Sequence, residues 1–202
     1  MSSALNSLVE VYDSLADDWD GPFARKPYDR ARLEALAHRA PDSDLPILDL
    51  GCGLGDSTDH LARQGRKVVG IDLSPRLVAR ARERFPNVTF EVGDQFTARP
   101  AAGLVSFYSL IHEPRAELLP SVRSLVSLCS RGAPILVALF DGEGEASLEV
   151  GPRRLPITLY RRKEVEGILS EIPELRELRV EGRRPYAFER PAFRIFASAV
   201  RA

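Results

Sequence analysis

Three glycines at alternate positions, Gly51, Gly53 and Gly55, directly follow a short apolar run at 46–50 and precede a helical pattern at 57–64. A glycine turn between a strand and a helix lets a ligand pass against the backbone while the helix N-terminal N–H groups face it. That arrangement suits a nucleotide-like ligand. The dinucleotide fingerprint G-x-G-x-x-G/A, however, asks for a small residue where this chain has Asp56, and Asp49 adds a second carboxylate two residues before the first glycine. Two acids at the turn repel a phosphate and favour a ligand that carries positive charge. Asp72 follows Gly51 by 21 residues, the offset of an acid that holds ribose hydroxyls at the end of a second strand. His112 comes just after a fourth apolar run, and an imidazole there could take a proton from a hydroxyl or an amine. Cys52, enclosed by the glycines, reads as a small packing residue.

These residues can meet only if the intervening segments build a sheet with one shared edge. Apolar runs at 46–50, 67–71, 88–92, 104–110 and 134–140 alternate with helical segments at 57–64, 75–85 and 115–128. Such alternation implies right-handed crossovers and a mostly parallel sheet covered on both faces. The nearly unbroken apolar run at 134–140 is what a strand buried on both faces requires. Runs at 174–180 and 193–200 are separated by GRRPYAFERP, too short for a crossover helix, which predicts an antiparallel pair. A helix is expected around 162–170, and 141–154 reads as a polar stretch without an element. Two leading segments, 5–19 and 28–40, carry apolar residues three and four apart and read as amphipathic helices. The class is a three-layer α/β fold.

At this point the motifs resemble a family. ILDLGCGLGDST at 47–58 resembles the first motif of class I S-adenosylmethionine (SAM)-dependent methyltransferases, VVGIDLS at 68–74 their second strand, and FEVGDQF at 90–96 the end of their third. LVSFYSLIHEP, PILVALFDGEGE and the C-terminal segment extend the similarity to a small bacterial subgroup acting on small molecules, over about 12–201. The resemblance implies a Rossmann-like, mostly parallel seven-stranded sheet with a C-terminal antiparallel hairpin. It also implies one domain over 1–202, with a helical lid at 1–40 and a core at 41–202. The implied cofactor is SAM, with Asp49, Gly51, Gly53 and Gly55 at its turn, Asp72 on the ribose hydroxyls beside Leu73, Asp94 on the adenine amino group and Gln95 supplying a backbone N–H. Tyr108, Tyr12 and Arg30 complete the cofactor set, Arg30 for the methionine carboxylate. Trp19, Tyr28, Asp141 and Tyr186 are implied for the acceptor, with His112 as the base if the acceptor is a hydroxyl. One departure is Gly132-Ala133-Pro134, where such proteins usually carry a Gly-Gly pair, away from the cofactor motifs.

Composition narrows the remaining classes. The 202 residues are 44% hydrophobic and 28% charged, with a formal net charge of −1, which leaves no global footprint for nucleic acid or an anionic membrane. Two cysteines without His or Cys at ligand spacing imply neither a disulfide framework nor a metal site. The expected protein is a cytoplasmic monomer or homodimer that methylates a small molecule. Two alternatives stay open: a SAM-fold protein that binds SAM without methyl transfer or catalyses another reaction, and a dinucleotide-dependent oxidoreductase.

Overall fold

The computed structural model describes residues 3–16, 25–96, 99–150 and 153–202. Two helices, α1 (Ser3–Leu15) and α2 (Pro27–Arg39), precede β1 (Ile47–Leu50). Then follow α3 (Asp56–Ala62), β2 (Val68–Asp72), α4 (Pro75–Arg84), β3 (Thr89–Val92), β4 (Gly103–Phe107), α5 (Leu118–Leu128) and β5 (Pro134–Phe140). The chain ends with β6 (Glu145–Val150), β7 (Arg153–Thr158), α6 (Arg162–Ser170), β8 (Leu175–Arg183) and β9 (Arg194–Arg201). Seven strands form one sheet in the order β3-β2-β1-β4-β5-β9-β8. The first five run parallel, and β9 is antiparallel to both of its neighbours.

Side chains alternate between the two faces of this sheet, and both faces are covered. Leu48, Leu50, Leu104, Ile135 and Val137 pack with Val122 and Leu125 of α5 and Val165 of α6. Ile47, Val105, Leu136, Ala138 and Phe196 pack instead with Leu33 and Leu36 of α2 and Leu61 of α3. Ser74 starts α4 by accepting the Leu77 N–H at 3.1 Å on its Oγ, with Pro75 at the first helical position. The strand order reverses between β1 and β4, so a crevice opens at their carboxyl ends, where open α/β sheets take their ligands.

Three expectations need correction. The fourth strand stops at Phe107 rather than continuing to 110, because Tyr108 has φ +62° and left-handed backbone cannot extend a strand; a 3-10 turn, Leu110–His112, follows. The helix expected from 115 is a 3-10 turn, Arg115–Glu117, before α5. Pro120 in the interior of a longer α-helix would clash with a carbonyl four residues back, whereas the first turn tolerates it. The stretch 141–154 contains β6 and the start of β7, which pair as a separate two-stranded hairpin, Leu148 facing Leu155 across it.

Candidate functional site

A cavity of about 790 Å³ lies at the carboxyl edge of the parallel strands. Its floor is the glycine turn and the ends of β2, β3 and β4; α1 contributes Ser7, Leu8, Val9 and Tyr12, and the hairpin contributes Leu148, Leu155 and Pro156. Val11 of α1 and Leu155 of β7 share a small apolar cluster with Leu8, Tyr12 and Leu148, so helix and hairpin meet over the crevice. Asp13 fastens α1 further. Its carboxylate accepts the Ser74 hydroxyl and the Arg76 N–H at 3.1 Å, satisfying a donor at the start of α4.

The glycines do different work. Gly53 has φ +54°, and a Cβ built there would meet no atom within 4 Å, so its α-carbon faces the open cavity. Gly55 does not line the cavity; a Cβ there would sit 2.6 Å from the Phe90 ring, so this glycine is required by packing. Asp72 carries one hydrogen bond on each oxygen, from Gly53 N–H at 2.8 Å and Ser74 N–H at 2.9 Å, which ties the turn to the end of β2. Burial raises its carboxyl above the usual carboxylate range, against the pull of those two N–H donors. Asp56 pairs with Arg84 through two contacts of 2.9 Å, so its charge does not face the crevice alone.

Asp49 lies beneath the turn rather than in the cavity, buried, with the Thr58 hydroxyl donating to it at 2.6 Å. Burial first, then the neighbouring Asp72 and Asp56, push its carboxyl up to about 7. Below the unfolded carboxyl value both states hold this proton. Between about pH 4 and 7 only the folded state keeps it, so folding stability falls as pH rises, and above 7 the loss is constant. Asp49→Asn, which can still accept from Thr58, is therefore expected to flatten that slope and to exceed the parent in stability by up to ~4 kcal/mol at pH 8 while matching it near pH 4. Urea denaturation at several pH values measures this; a variant no more stable at pH 8 would contradict it.

His112 is held from both sides. Its Nδ1 lies 2.9 Å from the Pro156 carbonyl oxygen of β7, which can only accept, so Nδ1 carries the proton. Its Nε2 is then the acceptor for the Tyr12 hydroxyl at 2.7 Å. Burial lowers the His112 imidazole below its ordinary value, partly countered by the Pro156 contact, so the neutral ring prevails at pH 7. Burial and then Asp72 raise the Tyr12 phenol, which therefore stays protonated and donates.

Of the residues expected from the sequence, the cavity brings together Gly51, Gly53, Asp72, Leu73, Asp94, Gln95, Tyr108, Tyr12 and His112. It does not include Asp49, Gly55, Arg30, Tyr28, Asp141 or Tyr186. Tyr28 packs edge-on against Phe196 at 5.5 Å, donates its hydroxyl to Glu181 at 3.1 Å and its backbone N–H to the Tyr186 hydroxyl oxygen at 3.0 Å, so both tyrosines are engaged outside the crevice. Asp141 prolongs the β5–β9 ladder, donating its N–H to Phe193 at 2.9 Å, and its carboxylate lies 3.7 Å from Arg161. Trp19 lies outside the described residues. Residues not anticipated in the cavity include Lys26, Asp29, Ser109, Glu113 and the hairpin leucines. Alternation of Ala146, Leu148 and Val150 with Glu145, Ser147 and Glu149, followed by Gly151-Pro152, was the available signal for that hairpin.

Among the described residues, two that line the cavity each keep a buried polar atom without a hydrogen-bond partner, Gln95 Oε1 and Tyr108 Oη. A glycine that faces open space beside the buried carboxylate of Asp72 fits a ligand with hydroxyl donors. A family model described as a methyltransferase domain matches residues 47–132. That match covers less than half of the 202 residues. A stretch of 99 residues is 41% identical to magnesium-protoporphyrin O-methyltransferase of Rhodobacter capsulatus, covering 44% of this chain and 43% of that protein. Another 40% match over 88 residues is to trans-aconitate 2-methyltransferase of Variovorax paradoxus (strain S110), covering 41% of this chain and 34% of that protein. The matched part is thus less than half the length of either curated relative. The fold superposes on DhpI, solved as its S-adenosylhomocysteine (SAH) complex, with TM-score 0.71 and 20% identity over 100% of this chain and 99% of that one. Magnesium protoporphyrin IX methyltransferase (ChlM) from Synechocystis PCC 6803, solved with bound SAM, gives TM-score 0.70 and 20% identity with the same coverage. The fold is therefore the Rossmann-like methyltransferase fold.

Proposed function

We propose that the chain transfers a methyl group from SAM to a hydroxyl of a small molecule. The observation that carries this reading is the crevice itself: Gly53 open to the cavity, Asp72 tied beneath it, and Asp94 and Gln95 on its wall. The curated relatives, each a methyltransferase by name, support the same reaction class. SAM, when bound, supplies a methyl group on a positively charged sulfur. Asp72 would accept from the ribose hydroxyls on lone pairs its two N–H donors leave open, and Asp94 and Gln95 would meet the adenine. The acids around the turn complement the positive charge of the ligand.

Acceptor and methyl must lie in line within a crevice free of water. Apolar side chains of α1 and the hairpin, Leu8, Val9, Leu148 and Leu155, exclude water from that end. A hydroxyl acceptor that replaces the Tyr12 phenol at His112 Nε2 gives its proton to a ring already neutral and oriented by Pro156. Glu113 is not needed for that transfer.

The test is calorimetry with SAM and with NAD, followed by transfer of a labelled methyl group to a small-molecule extract. SAM binding with label in a small-molecule fraction supports the reading, and NAD binding without SAM binding defeats it. Asp72→Ala is expected to weaken SAM by ~1–3 kcal/mol through the lost charged acceptor. Asp72→Asn, which keeps an acceptor for the turn, separates ligand loss from local unfolding. An unchanged SAM affinity in folded Asp72→Ala removes the ribose assignment.

A further inference from the structure

A second cavity, of about 680 Å³, shares no lining residue with the crevice, and its volume suits a small organic molecule. Its wall comes from the start of α6, the end of β8 and the residues that flank β5 and β9. The strand order therefore puts it beyond β5, at the β9–β8 end of the sheet, whereas the crevice opens between β1 and β4. Among the described residues that line it, five are cationic, Arg161, Arg162, Lys163, Arg183 and Arg184, against one acid, Asp141.

Two of the five cations are already neutralised. Arg183 donates to both Asp29 oxygens at 2.7 Å, to both Glu189 oxygens at 2.6 and 3.0 Å and to the Arg184 carbonyl at 3.0 Å, which occupies all five of its N–H groups. Arg161 lies 2.8 Å from Glu143 and 3.7 Å from Asp141, so the acid of the cavity is also matched. Arg162, Lys163 and Arg184 remain. All three are exposed, and none of their side chains makes an ion pair or hydrogen bond to another described residue. Glu166 follows Arg162 by four residues on α6, a spacing that suits an ion pair, yet does not engage it. The other nearby acids are taken: Glu164 by Arg115 and the Arg161 N–H, and Glu181 by Arg32.

Elsewhere on the described surface arginines meet carboxylates, as Arg39, Arg63, Arg84 and Arg99 do. Three unpaired cations on one concave wall instead repel one another, a cost that an anion in the cavity would reverse. A multiply charged oxyanion can give each of them a charge-assisted hydrogen bond. Half-exposed Phe193 adds an apolar wall for the body that carries such groups.

We propose that this cavity binds a small organic molecule carrying at least two phosphate or carboxylate groups, held by Arg162, Lys163 and Arg184 at a site separate from the methyl-transfer crevice. Arg161 and Arg183, already engaged, fix the wall. Arg183 also stands between the two sites, because Asp29, which holds it, lines the crevice. The inference does not depend on SAM being the cofactor.

Calorimetry at low ionic strength with pyrophosphate and with citrate, each in the absence and presence of saturating SAH, tests the site. The combined variant Arg162→Gln, Lys163→Gln, Arg184→Gln is expected to lose ~30-fold or more in affinity for the preferred anion. Arg123→Gln, Arg131→Gln and Arg179→Gln together remove the same charge from exposed positions outside the cavity and should change that affinity less than ~3-fold. Relief of repulsion predicts that the melting temperature of the first variant holds or rises, which separates lost binding from unfolding. Tighter binding of pyrophosphate identifies a phosphorylated ligand and tighter binding of citrate a polycarboxylate, and either supports the site. Binding of neither anion with Kd below about 1 mM, equal losses in the two variants, or displacement of the anion by SAH overturns it. Failure to bind SAH with anion binding intact overturns the cofactor reading alone.

Discussion

Gly53→Val is expected to abolish cofactor binding, weakening SAH more than ~100-fold, while the sheet stays folded. The side chain would project from a backbone at φ +54° into space that no protein atom occupies, the same space through which a ligand anchored on Asp72 must pass. A β-branched residue in that conformation also costs ~1–2 kcal/mol, so the melting temperature should fall modestly. Gly53→Ala separates the two effects: it carries much of the strain but intrudes by one methyl group. Calorimetry and thermal melting on both variants give the answer, and SAH affinity within tenfold of the parent in Gly53→Val would show that the ligand does not cross this turn. The neighbouring Gly55 makes the contrast, because a side chain there would strike Phe90 and harm the fold before the site.

His112→Ala is expected to lower kcat ~10²- to 10⁴-fold with SAM affinity little changed, since the imidazole acts on the acceptor's proton rather than on the cofactor. The neutral ring is the active form. With its value lowered by burial, activity should persist below the ordinary histidine range and fall only as pH drops further. Tyr12→Phe distinguishes a base from a mere strut between α1 and the hairpin. It frees Nε2 without removing the base, so its kcat should fall far less than that of His112→Ala. A rate-versus-pH profile unchanged in His112→Ala, or equal losses in the two variants, would assign both residues to packing alone.

The five parallel strands and their helices were legible because each combines a strong local signal with a burial demand the sheet satisfies. β5 matches its expected bounds because seven consecutive buried residues leave no choice of period. The start of α4 matches because Ser74-Pro75 carries its own capping chemistry. The hairpin β6–β7 was hidden. Its strands alternate weakly, Pro156 interrupts the second, and a two-stranded sheet is stabilised mainly by what it packs on, here Val11 of α1. Its partner lies more than a hundred residues away in the chain, and no local pattern contains that contact.

The sequence by itself determined the glycine turn, the acids Asp49, Asp72 and Asp94 around it and the position of His112 past β4, because strand-end residues in a parallel sheet reach one edge whatever the rest of the chain does. Tertiary structure alone decided which of the implied residues meet there. Lys26 rather than Arg30 lines the crevice because Glu189, from the β8–β9 connection, holds its ammonium. Tyr28 turns to Phe196 and Glu181, Tyr186 to the Tyr28 backbone, and Asp141 to Arg161, because those partners come from segments distant in sequence. His112 gained its tautomer from a carbonyl in β7 and its phenol from α1. The physical reason is common to all of them: local sequence sets backbone conformation, whereas the direction and charge state of a side chain follow from the dielectric and the partners that only the assembled fold supplies.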